Sequence, residues 1–347
     1  MKLQIGIIGF GKSANRYHLP YILNRDSIKV KKIFSRTIKK ELEESYKEEN
    51  IEFVRNVKDI LDDKDIKLVT ICTHVDSHYA YAKECLLKGK NVLVEKPFTN
   101  TLEEAKELFE IAKRNNLVIS PYQNRRFDSD FLALKEVIES GKVGDVVEVE
   151  SHFDYFRPDS TLHKGSKRDG AFYGLGVHTI DQIIYLFGTP EKVYYDIRSI
   201  RNKENPDDYY EVELFYKDFK VMVKTSHLVK SSYPKIILHG SKGSFIKYGI
   251  DKQEECLKAG IMPKGNKDFG LDTKDNYGVL EYVDEDGKEI KEIVKTPLGD
   301  YGRVYDNLYN AIIKGEEVLV KEEEALMVMN ILHQGLEGET PKIIKIK

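Results

Sequence analysis

The amino-acid sequence predicts an α/β protein with two domains, because of its length and because one strand pattern gives way to another. The chain has 347 residues, which exceeds one ordinary domain and suits two. From Leu3 to Ser120, short β-branched runs alternate with charge-rich helical stretches, which is typical of βαβ units and a parallel sheet. After Tyr122, alternating strands follow one another through hairpin-like turns, which favours a large, mainly antiparallel open sheet. We therefore assign residues 1–121 to the first domain and residues 122–347 to the second.

The first domain contains six candidate strands and one well-marked helix. Thr101 and Glu104 form a capping-box pattern that begins a helix with apolar residues on one face, so this helix is predicted to be half-buried against the sheet. The candidate strands are Leu3–Ile8, Val30–Phe34, Ile51–Val54, Leu68–Cys72, Val92–Val94 and Val118–Ile119.

The second domain contains longer strands, and two helices, near Val304–Ile313 and Glu322–Gly335, come before a strand-like tail at Ile343–Ile346. The candidate strands are Val146–Phe153, Val193–Ser199, Tyr210–Tyr216, Val221–Thr225, Ile236–His239 and Val279–Val283. Few helices separate these strands, and several of them are rich in tyrosine. One sheet face is therefore a candidate surface for self-association, and a homodimer or higher homo-oligomer is our hypothesis.

Composition and charge exclude several function classes. The net charge is −3 and Lys and Arg are not clustered, so nucleic acid is not an expected partner. The longest apolar runs are of strand length, far below the roughly 20 residues that span a bilayer. The sequence does not begin with a signal-peptide pattern. The three cysteines, Cys72, Cys85 and Cys256, match no metal-ligand spacing, so we expect reduced thiols in a cytoplasmic protein that binds no metal.

A glycine motif follows the first predicted strand. Gly9, Gly11 and Ala14 fit the G-x-G-x-x-A pattern between a strand and a helix. In this pattern the first glycine permits a tight turn, the second lets the backbone approach a pyrophosphate, and the alanine lets helix pack on strand. The motif predicts a dinucleotide site, and the alternative is a glycine-rich turn without a ligand.

The end of the second predicted strand bears on which dinucleotide is bound. NAD-binding folds usually have an acidic residue there that bonds the ribose hydroxyls. This chain has Ser35 and Arg36 instead, and a hydroxyl with a guanidinium suits a 2′-phosphate. We therefore expect NADP in preference to NAD. Two alternatives stay open: Arg36 is a solvated charge or stacks on adenine, and Lys39 or Lys40 shares its role.

Lys96 and Pro97 directly follow the fifth predicted strand, at the edge where open α/β sheets bind ligands. A partly desolvated lysine near other cations can acquire a lowered pKa and transfer protons. The alternative is a solvated turn, and Pro97 also allows a cis peptide bond.

Polar residues of the second domain form three further groups. His178 and Asp181 are three apart at the start of a predicted helix and share one of its faces, and the alternative for this histidine is a structural role with Asp181 orienting it. The segments Asn124–Phe127 and Asp154–Arg157 are candidates for hydrogen bonding to substrate hydroxyls. Alternatively, they form an interdomain salt-bridge network. Residues 240–243 are a hairpin turn to which we assign no ligand.

Taken together, the glycine loop, Glu-Lys-Pro after strand five and Gly-x-His-x-x-Asp in the second domain resemble the Gfo/Idh/MocA oxidoreductases over essentially the whole chain. Four longer segments are similar to a subgroup that includes NADP-dependent scyllo-inositol dehydrogenases. They are Gly-Phe-Gly-Lys-Ser (9–13), Tyr-Gln-Asn-Arg-Arg-Phe-Asp (122–128), Phe-Asp-Tyr-Phe-Arg-Pro (153–158) and Phe-Ile-Lys-Tyr-Gly-Ile-Asp (245–251).

This resemblance implies a Rossmann domain, a hydride transfer between nicotinamide and a hydroxyl or carbonyl carbon of a sugar- or cyclitol-like substrate, and catalytic roles for Lys96 and His178. The expected cofactor contacts are Gly9, Phe10, Gly11, Lys12, Ser13, Ser35, Arg36, Thr73, His78, Glu95, Lys96 and Asn124. The expected substrate contacts are Arg126, Tyr155, Arg157, His178 and Asp181.

The sequence departs from the family pattern at one position. Family members often carry an aspartate four residues before the histidine, where this chain has Gly174. Without that carboxylate, the proton relay uses Lys96 and His178 alone, recruits Asp181 or a water, or is absent. Two alternative functions therefore stay open: a non-catalytic NADP-binding sensor or regulator, and a reductase of a non-carbohydrate imine or enone.

Overall fold

The computed structural model describes residues 2–159 and 165–346. The chain divides into two compact units, each built around its own sheet. The first unit comprises Met1–Asn124, Glu255–Phe269 and Tyr301–Leu326, and the second comprises Arg125–Glu254, Gly270–Asp300 and Met327–Lys347.

Strands and helices alternate along the first third of the chain, as its sequence pattern predicts. The strands are β1 (Leu3–Ile8), β2 (Ile28–Phe34), β3 (Glu52–Val54), β4 (Leu68–Ile71), β5 (Asn91–Val94) and β6 (Ile119–Pro121). The helices are α1 (Leu19–Ile22), α2 (Lys40–Glu44), α3 (Lys58–Leu61), α4 (His78–Leu87) and α5 (Leu102–Arg114), and a π-helical turn, Ala14–His18, leads into α1. The predicted capping box is present, because the Thr101 hydroxyl accepts from the Glu104 N–H at 3.1 Å and the Glu104 carboxylate accepts from the Thr101 N–H at 3.2 Å.

These six strands form one parallel sheet in the order β3-β2-β1-β4-β5-β6. The strand order reverses between β1 and β4, and open sheets of this kind bind ligands outside the carboxyl ends of the strands near such a point. The prediction of a parallel-sheet Rossmann domain is confirmed. The loops after β1, β2, β4 and β5 all open at that edge.

The rest of the chain is richer in strands. The helices are α6 (Ser129–Glu139), α7 (Val177–Phe187), α8 (Gln253–Lys258), α9 (Arg303–Lys314) and α10 (Glu322–Leu336). The strands are β7 (Val146–His152), β8 (Lys192–Arg198), β9 (Tyr209–Phe215), β10 (Lys220–Ser226), β11 (Ile236–Gly240), β12 (Gly243–Lys247), β13 (Gly278–Val283), β14 (Glu289–Val294) and β15 (Lys342–Lys345). The sequence-based set lacks α6, β12, α8 and β14, of which β14 does show the charged–apolar alternation of a strand.

The second sheet has nine strands in the order β14-β13-β12-β11-β7-β10-β9-β8-β15. Only β7 and β10 pair in parallel, so the expectation of a mainly antiparallel sheet is confirmed. Apolar residues on one sheet face, such as Val149 and Val212, pack with apolar residues of α6 and α7 in a single core. The tight link from β11 to β12 confirms the hairpin turn at residues 240–243.

The opposite face of this sheet is more polar than the tyrosine-rich alternation suggests. Lys224 pairs with Glu211 at 2.8 Å, and Lys220 pairs with Glu213 at 3.0 Å. Half-buried tyrosines lie among these ion pairs, for example Tyr209, whose hydroxyl donates to Glu211. The face therefore combines aromatic area with matched charges.

The two units do not follow the boundary drawn from the sequence. Residues 255–269 and 301–326, which the sequence assigned to the second domain, pack with the first unit. In α9, for example, Asp306 binds Arg25 through two bonds of 2.8 and 2.9 Å. The periodicity of α9 predicts that one helix face is buried, but it does not show which part of the protein covers that face.

Helix length and composition are also informative about membranes. Within the described parts of the chain, every helix is either too short or too polar to cross a bilayer.

Candidate functional site

The loop after β1 needs glycine at its first motif position. Gly9 has φ +104°, a backbone conformation that side chains rarely adopt, and an added Cβ would lie 2.6 Å from the carbonyl oxygen of Cys72. The Gly9 N–H donates to the Phe34 carbonyl oxygen at 3.0 Å. The turn is therefore pressed between the ends of β2 and β4, where only a bare backbone fits.

Gly11 differs from Gly9, because a Cβ added there would meet no atom within 4 Å. The helical segment starts at this point, and the Asn15 backbone and side-chain N–H groups donate to the Gly11 carbonyl oxygen at 3.2 and 2.7 Å. Ala14 is buried against the sheet, as the motif requires. Open space beside a glycine at a helix start fits a pyrophosphate, so these residues suit a bound dinucleotide.

One buried carboxylate connects the glycine loop to the lysine loop after β5. Glu95 accepts from the Ser13 hydroxyl and from Nε2 of His18 at 2.9 Å through one oxygen, and from the Lys96 N–H at 2.9 Å through the other. Nδ1 of His18 lies 2.7 Å from the Tyr305 hydroxyl of α9. The start of the helix after the glycine motif and the backbone of Lys96 are thus held by the same side chain.

The charge of Glu95 is favoured despite its burial. Burial alone raises the pKa of this carboxyl, but hydrogen bonds from His18 and Ser13, together with the electrostatic effects of His18 and Lys96, outweigh it and bring the pKa down to about 2. Glu95 is therefore ionised at neutral pH. These bonds suit a positioning role for Glu95, and its expected cofactor contact stays a prediction.

A second buried residue, His78, holds the other side of the lysine loop. Its ring nitrogens lie 2.9 Å from the Pro97 carbonyl oxygen and 3.0 Å from the Thr73 carbonyl oxygen. The Lys96–Pro97 peptide bond is cis, the geometry that the sequence allowed. Lys96 is half-buried at the carboxyl edge of the sheet. His78 thus joins the loops after β4 and β5, while Thr73 contributes a carbonyl to this connection.

The end of β2 lacks an acidic side chain, as expected. Ser35 is buried and its hydroxyl donates to the Thr37 carbonyl oxygen at 2.8 Å. Arg36 is exposed, and it forms no ion pair among the described residues. The Lys39 ammonium donates to the Phe10 carbonyl oxygen and lies 5.8 Å from the Phe10 ring centre. Two cations therefore lie close in sequence to the ribose end of a dinucleotide bound in the usual way.

Three more expected cofactor residues differ in what their side chains do. The Phe10 ring is buried, with its centre 4.9 Å from that of Phe53 and 5.9 Å from that of Tyr46, so its side chain serves packing. Lys12 is exposed at the start of the helical segment, and Asn124 is buried at the start of a 3₁₀ turn.

In the second unit, His178 lies near the start of α7 and is 5% exposed. The neighbouring Thr179 hydroxyl is 3.1 Å from the Tyr210 hydroxyl at the start of β9. A π-helical turn, Phe172–Gly176, precedes α7, and its first N–H donates to Asp207 at 2.7 Å. These contacts fix the start of α7 at one end of the nine-stranded sheet.

Gly174 lies within that turn, four residues before His178. Its φ is outside the left-handed region, and a Cβ added there would meet no atom within 4 Å. A positive φ is therefore not the reason for glycine at this position. The local backbone admits a side chain.

Arg126 and Asp181, two of the expected substrate contacts, pair with each other. Nε and Nη2 of Arg126 donate to the two Asp181 oxygens, each at 2.8 Å, and the two side chains are 1% and 2% exposed. The Arg126 guanidinium also lies 4.5 Å from the Tyr185 ring centre. A buried ion pair of this kind suits a structural role, and the substrate contacts expected for both residues stay a prediction.

Tyr155 and Arg157 follow the end of β7. The Arg157 guanidinium lies 3.8 Å from the Tyr155 ring centre, and Arg157 is exposed while Tyr155 is half-buried. Both backbones are hydrogen-bonded to the end of β10 and the residue after it, because Tyr155 N–H donates to Ser226 and Arg157 N–H donates to His227, each at 2.9 Å. These two expected substrate residues therefore lie together.

Sequence reasoning missed His18 and Tyr305, which complete the bonds around Glu95. A histidine four residues after Ala14 of the glycine motif is a signal that was present in the sequence. No comparable signal marks Tyr305, because it lies 287 positions from its partner.

Comparisons with known proteins agree with this architecture. The family model described as "Oxidoreductase family, NAD-binding Rossmann fold" (Gfo/Idh/MocA) matches residues 3–123, and the model of the same family's "C-terminal alpha/beta domain" matches residues 135–338. Together they cover most of the chain.

Individual relatives match over nearly their whole length. Uncharacterized oxidoreductase YhhX of Escherichia coli K12 is 57% identical over 347 residues, which is 100% of this chain and 99% of YhhX. A crystal structure of an oxidoreductase from Bacillus cereus is 50% identical and superposes with a TM-score of 0.98 over 100% of this chain and 99% of its own. The scyllo-inositol 2-dehydrogenase (NADP(+)) IolW of Bacillus subtilis 168 is 31% identical over 346 residues, covering 98% of this chain and 94% of IolW.

Proposed function

This chain belongs to the Gfo/Idh/MocA oxidoreductase family, and from that premise we propose that it is an NADP-preferring dehydrogenase or reductase that acts on a CH–OH carbon of a sugar- or cyclitol-like substrate. Its similarity to an NADP(+)-linked scyllo-inositol dehydrogenase supports the substrate class. Bound nicotinamide would supply the hydride acceptor for oxidation, or the hydride donor for reduction.

The bonds around Glu95 are the observation that carries this proposal. The carboxylate holds Ser13, which follows the glycine motif, and the backbone of Lys96 at the same time. A ligand cradled by the glycine loop would therefore be presented to a lysine whose loop is rigidly attached to that cradle. A turn without a ligand needs no such connection between its helix and a lysine at the carboxyl edge of the sheet.

The proposed reaction requires protein side chains that transfer a proton. When an alcohol carbon loses hydride, its hydroxyl proton passes to a base, and in reduction an acid returns it. In our proposal Lys96 and His178 act together, since one polarises the substrate oxygen and the other takes or delivers the proton. Asp181 is bound to Arg126, so the imidazole-orienting role considered for it from the sequence is not part of this proposal.

Ser35 and Arg36 underlie the preference for NADP. A carboxylate at the end of β2 would repel a 2′-phosphate, and this chain has a buried hydroxyl followed by an exposed guanidinium. Lys39, held at the Phe10 carbonyl oxygen, adds a second cation to the loop.

A second candidate function is a cofactor-binding sensor without turnover. Gly174 favours it, because the family's usual carboxylate is absent while the backbone at that position admits a side chain. Steady-state NADPH production separates the two functions: a sensor binds NADP without consuming any polyol.

The experiment that tests the proposal compares Lys96→Ala and His178→Ala with the wild type on a panel of cyclitols, aldoses, sugar acids and keto-sugars with both cofactors. We expect each variant to lose about 10²–10⁴-fold in kcat, because one positioned proton-transfer group typically contributes that much. Cofactor affinity, measured by titration, should stay within a few-fold.

Matched controls are Lys106→Ala, an exposed lysine of α5, and His239→Ala, whose ring bonds Ser244 in the β11–β12 hairpin. Both controls should retain wild-type turnover. Near-normal turnover of Lys96→Ala and His178→Ala on a confirmed substrate would contradict the proposed relay.

We also propose self-association through the polar face of the nine-stranded sheet, where half-buried tyrosines lie among matched charges. Light scattering after size-exclusion chromatography tests it, and a monomer at all micromolar concentrations would contradict it.

A further inference from the structure

The end of the nine-stranded sheet beyond β7 and β10 has a side-chain arrangement that the proposed reaction does not use. The two strands are parallel, so their carboxyl ends lie at the same edge. Beyond them, Tyr155 N–H donates to Ser226 and Arg157 N–H donates to His227, so the chain stays extended and paired. Alternate side chains therefore keep pointing to the same side as far as Arg157.

That side is the one that faces the helices. Val149 in β7 belongs to the core formed with α6 and α7, and Ser151, Phe153, Tyr155 and Arg157 follow it at steps of two. The residues beyond the sheet end thus continue the core-side face outward. We call Ser151, Phe153, Tyr155 and Arg157 the exit row.

The exit row lies at the same sheet end as His178. The Thr179 hydroxyl contacts the Tyr210 hydroxyl at 3.1 Å, and Tyr210 pairs with Thr225 in the β9–β10 register. Thr225 comes two residues before His227, the partner of Arg157. A substrate whose reacting oxygen met His178 would therefore extend along this end of the sheet.

A cationic side chain lies beside each aromatic ring of the exit row. The Arg157 guanidinium lies 3.8 Å from the Tyr155 ring centre, and the Lys235 ammonium lies 5.0 Å from the Phe153 ring centre. The guanidinium of Arg125 is also 5.0 Å from the Phe153 ring centre, but it has acidic partners in Asp128 and Glu254.

Lys235 and Arg157 differ from Arg125, because neither forms an ion pair with a carboxylate in residues 2–159 and 165–346. Lys235 is only 4% exposed, and its ammonium donates to the Ser151 hydroxyl at 3.1 Å. Buried lysines are rare unless they are paired, because removing a charge from water is costly. A buried ammonium with a single hydroxyl acceptor retains capacity to donate to a ligand.

The pKa of His227 indicates which sign of charge prevails around this histidine. Burial lowers its pKa, and the charges of Arg201 and Arg157 lower it further against the opposing effect of Asp208 and Asp154, bringing it to about 4. Positive charge therefore outweighs negative charge around this ring. Arg201 is itself paired with Asp208 at 2.6 Å, whereas Arg157 forms no ion pair within the described residues.

We propose that the exit row is an anion subsite, in which Arg157 and Lys235 bind a carboxylate or phosphate group of the substrate, so that the preferred substrate is an acidic sugar or cyclitol derivative rather than a neutral polyol. This inference rests on the proposed function, since it assigns the substrate of the same site. Tyr155 positions the Arg157 guanidinium by stacking, and the planar fork of that group suits both carboxylate and phosphate.

The test compares matched substrates: glucose, glucuronate and glucose 6-phosphate, each with NADP. In the wild type we expect kcat/KM for at least one anionic member to exceed that for glucose by tenfold or more, and the two acids show which anion is preferred. Arg157→Gln should lower kcat/KM for that acid 10- to 100-fold more than it lowers kcat/KM for glucose, because one charge-assisted contact is lost. Lys235→Gln should shift the same ratio in the same direction.

Arg198→Gln is the matched control. Its guanidinium also lies over a tyrosine of this sheet, 4.3 Å from the Tyr209 ring centre, but it is paired with Asp196 at 2.9 Å. We expect this variant to keep the wild-type ratio between acid and glucose. Thermal melting checks that all variants are folded.

A binding measurement separates this inference from the proposed function. Glucuronate, glucose 6-phosphate and inorganic phosphate are titrated calorimetrically into NADP-loaded wild type and Arg157→Gln. Binding of an acid that weakens at least tenfold in Arg157→Gln supports the subsite even if no substrate turns over. Turnover of glucose equal to that of both acids, or acid binding unchanged in Arg157→Gln, overturns the subsite while the proposed oxidoreductase function stands.

Discussion

The loops of the first unit and the sheet end of the second unit organise their functional residues differently. In the first unit, backbone conformation and one buried carboxylate set the positions, since Gly9 forms the turn and Glu95 joins it to Lys96. In the second unit, side chains stack on and pair with one another, as Arg157 does with Tyr155 and Arg126 with Asp181. The first arrangement suits an invariant ligand such as a dinucleotide, and the second suits a group that differs between substrates.

The difference has a consequence for mutation. A change at a backbone-determined position should disturb folding and cofactor binding together. A change in a side-chain pair should instead separate stability from substrate choice.

The largest effect is expected for Gly9→Ala. The added Cβ would meet the Cys72 carbonyl oxygen at 2.6 Å and would force φ +104° on an alanine, so we expect a loss of roughly 2–6 kcal/mol in the free energy of unfolding. Chemical denaturation measures it. Gly11→Ala is the matched variant: its Cβ meets no neighbour, so stability should be unchanged while NADP affinity falls. Equal stability losses in the two variants would contradict the distinction between the two glycines.

The next effect concerns the buried pair in the second unit. Asp181→Asn leaves the Arg126 charge enclosed without a carboxylate, so we expect a loss of about 3–5 kcal/mol in the free energy of unfolding. The double variant Arg126→Met with Asp181→Leu should recover most of this loss, because it removes both charges. A stable Asp181→Asn protein that had lost only turnover would return Asp181 to the catalytic relay.

A smaller effect is expected at the end of β2. Arg36→Ala should weaken NADP binding by about 1.5–3 kcal/mol, roughly ten- to a hundredfold, and leave NAD binding unchanged. Arg55→Ala is the control, because the Arg55 guanidinium is held by Glu43 at 2.7 Å. Titration of both cofactors measures the preference, and equal NADP affinity in Arg36→Ala and wild type would remove Arg36 from the site.

The smallest effect on stability is expected for Gly174→Asp. The open space and ordinary φ predict a folded protein, with a change of less than about 0.5 kcal/mol in the free energy of unfolding. Gained activity on cyclitols would identify an open position in the proton relay. Lost NADP binding would show that the glycine makes room for the cofactor, and no change in either assay would place position 174 outside the site.

Much of the first unit was predictable because its signals are local. The strand of Leu3–Ile8, the capping box of Thr101 and Glu104 and the glycine motif each lie within a short stretch of chain, and each has one steric or hydrogen-bonding reason. Their identification needs no knowledge of distant residues. The location of Lys96 at the carboxyl edge of the sheet follows from the same alternation of strands and helices.

The pairing of Arg126 with Asp181 could not be predicted in this way. The two residues are 55 positions apart, and a polar cluster in sequence has the same appearance whether it meets a substrate or a buried partner. Likewise, α9 shows an apolar face in its sequence, but its packing in the first unit depends on how the chain returns there.

Hydrophobic periodicity and short local motifs in the sequence were enough to predict the two-domain α/β architecture, the dinucleotide loop and the position of the lysine loop. The absence of an acidic residue after β2 is also read directly from the sequence. The folded chain was needed to show that Glu95, His18 and Tyr305 form one network, that Arg126 neutralises Asp181, and that Lys235 and Arg157 lie along one row without acidic partners among the described residues. The physical reason is that charge pairing and burial depend on distance in space, which residues far apart in the chain acquire only on folding.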